Sequence, residues 1–160
     1  MKTERVWKMY WSATGTTKTV VSAIADRLAA ELGLAVETYD FTLPAARRTA
    51  PKFAAGDVVV FGTPTYAGRV PNVLLKYLET VKGGGAAAIP VVTFGNRAFD
   101  DALIELRDIL TDNGFRPFAG AAFVGEHSFS KTLAAGRPDV DDLLLAAQFA
   151  GQAAARLAGV

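Results

Sequence analysis

Ser12-Ala13-Thr14-Gly15-Thr16-Thr17-Lys18 lies between an apolar run, Val6 to Trp11, and an apolar-periodic segment, Val20 to Leu32. The run reads as a first strand. The segment places Val20, Ile24, Leu28 and Leu32 on one helical face, with Val21 and Ala25 beside them and Gly33 as a stop signal. The quoted stretch is therefore a turn from a strand into a helix. The first N–H groups of a helix have no intrahelical partner and carry partial positive charge, which favours an anion. An N-cap alone would explain one hydroxyl here. Ser12, Thr14, Thr16 and Thr17 put four hydroxyls into six residues, more than a cap requires. Phosphate is the anion this combination suits.

Working outward, Ala35 to Phe41 reads as a second strand, and residues 42–56, with Pro44, Pro51 and Gly56, as a connection with room for one helical turn. Its length suits a crossover between parallel strands. Asp57 to Phe61 is a third strand, apolar without alternation, as in a strand buried on both faces. After Gly62–Arg69, a loop with turn chemistry, Pro71 opens a helix carrying Val70, Val73, Leu74, Tyr77, Leu78 and Val81 at helical spacing. Ala87 to Phe94 is a fourth strand, followed by the loop 94–99. A helix with Phe99, Ala102, Leu103, Leu106 and Leu110 on one face comes next. A fifth strand lies within Phe115–Val124, a long polar loop covers 125–137, and a last helix from about Pro138 to Ala158 faces inward with Leu143, Leu144, Ala147, Ala154 and Leu157. The alternation predicts an α/β fold, a doubly wound five-stranded parallel sheet with helices on both faces, as a single domain over 1–160. Ligands of such sheets bind beyond the carboxyl ends of the strands, where strand order reverses. Loops 12–18, 62–69 and 94–99 leave those ends.

Several classes are excluded or disfavoured. The net charge is +1 with no basic tract, so neither nucleic acid nor an anionic membrane is expected as a partner. Without cysteine, there is no disulfide, thiolate catalysis or cysteine-held cluster. No stretch reads as a signal peptide or bilayer span, which predicts a cytoplasmic protein. The G-x-G-x-x-G fingerprint is absent after the first strand, and so is G-x-x-x-x-G-K-[ST]. A receiver domain needs an aspartate at the end of the third strand, where Phe61-Gly62 stand. The one histidine, His127, has no second histidine with which to hold a metal, and a polar loop role suits it better.

Ser12–Thr17 resembles the phosphate loop [TS]-x-T-G-x-T of the flavodoxin family, and the resemblance covers most of the chain. Four stretches, Ser12–Lys18, Pro64–Pro71, Phe94–Asp101 and Gly125–Ser128, are most similar to the flavodoxin-like half of bacterial flavodoxin–ferredoxin fusion proteins. The resemblance implies bound FMN, with its phosphate on Ser12, Ala13, Thr14, Gly15, Thr16 and Thr17. It implies an isoalloxazine ring held between Pro64, Thr65, Tyr66, Ala67, Gly68 and Arg69 on one side and Thr93, Phe94, Gly95, Asn96, Arg97 and Phe99 on the other. Tyr66 stands where the family stacks an aromatic on the ring; a hydrophobic plug is the competing role. Phe99 fits either a second stacking position or the inward stripe of its helix. The Ala67-Gly68 peptide matches the family's flipping peptide, whose carbonyl turns toward flavin N5 on one-electron reduction, and Gly95, Asn96 and Arg97 would contact the ring's polar edge through the backbone.

The expected function is single-electron transfer between redox partner proteins, a reductase or an iron–sulfur protein. One alternative is an FMN-dependent oxidoreductase acting on a quinone or similar small acceptor, with 125–137 and His127 as a substrate wall; another is a binding module that has lost the flavin. Flavodoxins are usually acidic, whereas this chain carries Arg69 and Arg97 on the two ring loops. Basic neighbours favour the extra charge of the fully reduced ring, so the second electron should enter at a potential less negative than in acidic flavodoxins by tens of millivolts.

Overall fold

The computed structural model describes residues 2–95, 101–124 and 138–158. Strand β1 (Arg5–Tyr10) leads into helix α1 (Thr16–Leu32), followed by β2 (Val36–Asp40), a 3-10 turn at Pro44–Arg48 and β3 (Asp57–Pro64). After a short helical segment, Asn72–Leu74 continued by α2 (Leu75–Leu78), come β4 (Ala87–Phe94), α3 (Ala102–Asp112), β5 (Arg116–Pro117), β6 (Ala121–Val124) and α4 (Val140–Ala158). All strand pairs are parallel. The order is β2-β1-β3-β4-β5, with β6 also on β4. Strand order reverses between β1 and β3, which places the ligand crevice of a doubly wound sheet at their carboxyl ends.

The unbroken apolar run of β3 serves two cores. Val58 and Val60 pack with α1 and α4, whereas Val59 and Phe61 pack with α2 and α3. Side chains alternate across a sheet, so a strand covered on both faces must be apolar at successive positions. The predicted fold class is the one observed.

Four elements differ from the sequence reading. Strand β3 runs on through Gly62, Thr63 and Pro64, because β4 offers Val91, Val92 and Thr93 as register partners. The helix expected from Pro71 to Val81 is instead two short turns. Leu75 N–H donates to Asn72 O, and Thr80 N–H and Val81 N–H donate to Tyr77 O and Leu78 O. These are tight three-residue closures, and the Thr80 hydroxyl also takes the Tyr77 carbonyl at 2.6 Å. The fifth strand is split. Ala88 pairs with Pro117 and Val91 with Ala121, so Phe118, Ala119 and Gly120 oppose only Ile89 and Pro90. Pro90 has no N–H to donate, and the extra residue is accommodated as a bulge. In α4 the buried face is Ala146, Ala150, Ala153 and the expected Ala154, with the expected Leu157 packed partly buried against the same core, while Leu144 is 57% exposed. These alanines share one core with Ala25 and Ala29 of α1, and small residues on both helices allow a close approach.

Candidate functional site

Strand β1 ends at the crevice, and three neighbours position the loop beyond it. Trp11 N–H donates to Gly62 O at 3.2 Å. Ser12 N–H donates to Thr42 Oγ1 at 2.9 Å, and Thr42 in turn donates its hydroxyl and amide to Asp40 Oδ1. Lys18 N–H donates to Ser12 Oγ at 3.0 Å. The loop thus closes over the first turn of α1 from outside the helix. Gly15 caps the helix with φ 88° and makes no side-chain cap. Glycine takes this left-handed conformation without a steric penalty. A Cβ at Gly15 would meet nothing within 4 Å, so the space beside the first turn is open.

In that turn, Thr19 N–H returns to Gly15 O at 3.0 Å and Lys18 N–H is taken by Ser12. The amides of Thr16 and Thr17 precede any residue whose intrahelical partner exists. No acidic residue stands in the first turn. Of the four hydroxyls, the structure divides the roles. Thr14 is exposed and Thr16 half-buried at the mouth, their Oγ1 atoms 3.3 Å apart. Ser12 accepts Lys18 N–H, and Thr17 is buried with its Oγ1 2.9 Å from Thr93 Oγ1. Thr93 also accepts Thr65 N–H on its carbonyl at 2.8 Å, so one residue of β4 ties the helix start to the end of β3. Gly62 makes this possible, since a Cβ there would stand 2.3 Å from Val21 Cγ2 and 2.9 Å from Thr17 Cγ2.

The second loop is built differently. Tyr66 N–H donates to Arg69 O at 2.9 Å, and Arg69 N–H to Tyr66 O at 3.0 Å, which leaves Ala67 and Gly68 as a two-residue turn. Their φ values are 51° and 77°, the positive pair of a type I′ turn. Ala67 is the one non-glycine residue with positive φ among the described residues, a conformation that costs a residue with a Cβ on the order of 1 kcal/mol. Tyr66 is half-buried and meets Trp11 edge-on, with ring centroids 5.9 Å apart at 84°. Burial pushes its phenol pKa up.

The Arg69 side chain, expected beside the ring as a free positive charge, turns to α3. Its Nε donates to Glu105 Oε1 at 3.1 Å and Nη2 to Oε2 at 2.6 Å. Val70 N–H donates to the same Oε1 at 2.7 Å. The Arg69 hydrogen bonds hold the Glu105 carboxyl below its usual value, against its partial burial, and Val70 N–H adds to them. The basic influence expected from Arg69 is therefore offset by a carboxylate in direct contact, because a bidentate pair presents little net charge to a third group.

Ser12 to Thr17, Pro64 to Arg69, and Thr93 to Gly95 are thus brought to one end of the sheet. Asn96, Arg97 and Phe99 lie outside the described residues, as do loop 125–137 and His127. Sequence reasoning missed Trp11, Thr42 and Glu105. Asp40-Phe41-Thr42 after a strand is an Asx-turn signal that could have revealed Thr42; nothing local marks Glu105.

The residues present fit FMN. The α1 terminus offers unpaired amides, hydroxyls and no carboxylate. Beside it, Thr65 Oγ1 and Trp11 Nε1 are buried polar atoms without a hydrogen-bond partner, which a native site seldom leaves unsatisfied. Among the described residues no group of three or more His, Asp or Glu side chains is placed to hold a metal, and no helix is long and apolar enough to cross a membrane.

No curated protein sequence matches the chain. Among solved structures it is similar to the Streptococcus pneumonia TIGR4 flavodoxin, at 19% identity and a TM-score of 0.62, over 95% of this chain and 99% of that one. It is also similar to an NADH:FMN oxidoreductase in its apo form, at 18% identity and a TM-score of 0.65, over 97% of this chain and 90% of that one. The rubredoxin oxygen:oxidoreductase of Desulfovibrio gigas matches at 17% identity and a TM-score of 0.69, over 99% of this chain but only 37% of that one. At these identities the likenesses speak for the fold. A family model described as a flavodoxin domain matches residues 9–95, which run from the last residues of β1 past the end of β4 and include both loops just described, and the chain belongs to that family.

Proposed function

We propose that the chain binds one FMN at the crevice between β1 and β3 and carries single electrons between redox partner proteins. The observation that carries this reading is the start of α1, where a left-handed glycine, open space, the paired Thr14 and Thr16 hydroxyls and an acid-free first turn form one cradle. When bound, FMN would supply the one-electron chemistry. The chain's own residues bind and orient it. The amides of Thr16 and Thr17 and the hydroxyls of Thr14 and Thr16 would hold the phosphate, and Tyr66, braced edge-on by Trp11, would cover one ring face. Thr93 fixes the distance between these parts, since it binds Thr17 through its side chain and Thr65 through its carbonyl. Glu105 holds the Tyr66–Arg69 turn through the Arg69 side chain and Val70 N–H.

The test is to mix purified chain with FMN, remove excess, and record the visible spectrum before and after adding NADH. An electron carrier retains stoichiometric flavin with a shifted, structured absorption band and stays oxidised in NADH until a separate reductase is supplied. Direct bleaching by NADH would favour the oxidoreductase alternative. No retained flavin would overturn the FMN assignment.

A further inference from the structure

The connection between β2 and β3 forms one wall of a cleft of about 570 Å³, and the turn after α2 forms the other. Arg47, Arg48, Thr49 and Lys52 line it from one side, Thr80 and Lys82 from the other. Among the described residues no carboxylate lines it, and no Asp or Glu occurs from Phe41 to Gly56. Four cationic side chains line the cleft; Lys82 Nζ donates to Glu79 O at 2.8 Å and Arg47 to two backbone carbonyls, and an anion between the four relieves their mutual repulsion.

The wall is built rather than loose. Tyr39 Oη donates to Ala46 O at 2.8 Å and lies 3.0 Å from Thr49 O, and Tyr77 Oη donates to Thr49 O at 2.9 Å. Arg47 Nη1 donates to Phe41 O and Thr42 O at 2.9 and 2.7 Å, which orients the guanidinium and leaves its remaining N–H groups for another acceptor. Phe53 is buried against Trp7 and Phe115, and a Cβ on Gly84 would stand 2.2 Å from Phe53 O, so the two walls meet in backbone contact at the base. Arg48 and Lys52 are exposed and take part in none of the ion pairs among the described residues. Guanidinium and ammonium groups suit phosphate oxygens. The volume is that of a small-molecule site.

We propose that this cleft is a second anion site, separate from the α1 terminus, that takes a small ligand bearing two or more linked phosphates. The proposal does not depend on flavin binding. It is tested by titrating the whole chain, saturated with FMN, with inorganic pyrophosphate and then tripolyphosphate, while recording ¹H–¹⁵N amide shifts. Saturable shifts are expected for residues 47–53 and 80–84, tighter for tripolyphosphate, with affinity falling as salt rises. Amides 12–17 report separately on the α1 terminus, so a chain that took up no FMN would still give a readable result. The double variant R48E/K52E should weaken the cleft shifts at least about tenfold, and R48S/K52S serves the same purpose if the charge reversal disturbs the fold. Linear, non-saturating shifts overturn the proposal, as does saturable binding that survives both double variants. Shifts at the cleft with an oligoglutamate peptide but with neither phosphate would also overturn it and mark the surface as a docking face for an acidic protein.

Discussion

The two loops at the carboxyl end of the sheet are held in opposite ways. Residues 12–18 are held by the sheet on two sides, to Thr42 just beyond β2 and to β4 through Thr17 and Thr93, and Lys18 N–H on Ser12 locks the loop onto the first turn of α1. Their positive φ falls on a glycine. Residues 65–69 close mainly on themselves, by the reciprocal Tyr66–Arg69 bonds, with an alanine in a left-handed conformation. Their outside supports are Thr93 O, one carboxylate on α3 and one indole edge. A loop wired into several elements moves only if they move. A self-closed turn carrying local strain can change conformation alone. The first arrangement suits a fixed phosphate seat, the second a lip that adjusts to a ring.

The contrast can be broken most severely from the rigid side. Gly62→Ala puts a methyl group into Val21 and Thr17, where both the helix and the strand are anchored. It should lower unfolding free energy by about 2–3 kcal/mol in urea denaturation. A loss below the error of the measurement would mean that α1 does not seat on β3 at this point. Tyr66→Ala comes next and acts on binding, with little expected effect on the fold. Loss of a stacked aromatic should weaken FMN binding by about 1 kcal/mol or more and restore part of the quenched flavin fluorescence. Unchanged affinity and fluorescence would make Tyr66 a plug.

Smaller effects sharpen the comparison on the adjustable side. Glu105 is held below the ordinary carboxylate value, so its anchoring of Arg69 and Val70 is fully present above pH 4.5 and is lost as pH falls through the lower folded value. The Val70 amide resonance should report this as a titration below pH 4.5, and Glu105→Gln should abolish it and raise exchange at the turn a few-fold. A Val70 resonance that titrates identically in the variant would rule out the anchor. Smallest of all, Ala67→Gly removes the Cβ penalty at φ 51° and should stabilise the chain by a few tenths of a kcal/mol, up to about 1, in the same urea assay. Destabilisation would show that the alanine side chain makes contacts worth more than the strain.

The strand and helix alternation was legible because β3 and β4 are apolar at successive positions and α1 keeps its period over three turns. The turn from β1 into α1 was legible because hydroxyls and a glycine cluster between an apolar run and a periodic segment. The features that escaped depend on distant partners. The α4 face was read correctly at Ala154 and Leu157 but not at Leu144, because the close approach of α1 favours alanines at Ala146, Ala150 and Ala153. The break between β5 and β6 follows from Pro90 on a neighbouring strand. The short α2 follows from local three-residue closures that its apolar spacing conceals. Arg69 reads as a free cation until Glu105, on a helix that follows the next strand, is placed against it. Thr42 belongs to the site only because β2 lies beside β1.

Recognition of a phosphate by the α1 terminus is tested most directly with riboflavin, which is FMN without its phosphate. Fluorescence titrations of the chain with both flavins should give binding to FMN at least about a hundredfold tighter than to riboflavin, which corresponds to roughly 2.7 kcal/mol. Thr14→Asp, which sets a negative charge at the mouth of the cradle, should bring FMN down toward riboflavin while riboflavin affinity stays where it was. Equal affinity for the two flavins in the wild-type chain, or an FMN affinity indifferent to Asp at position 14, would contradict phosphate recognition at this terminus.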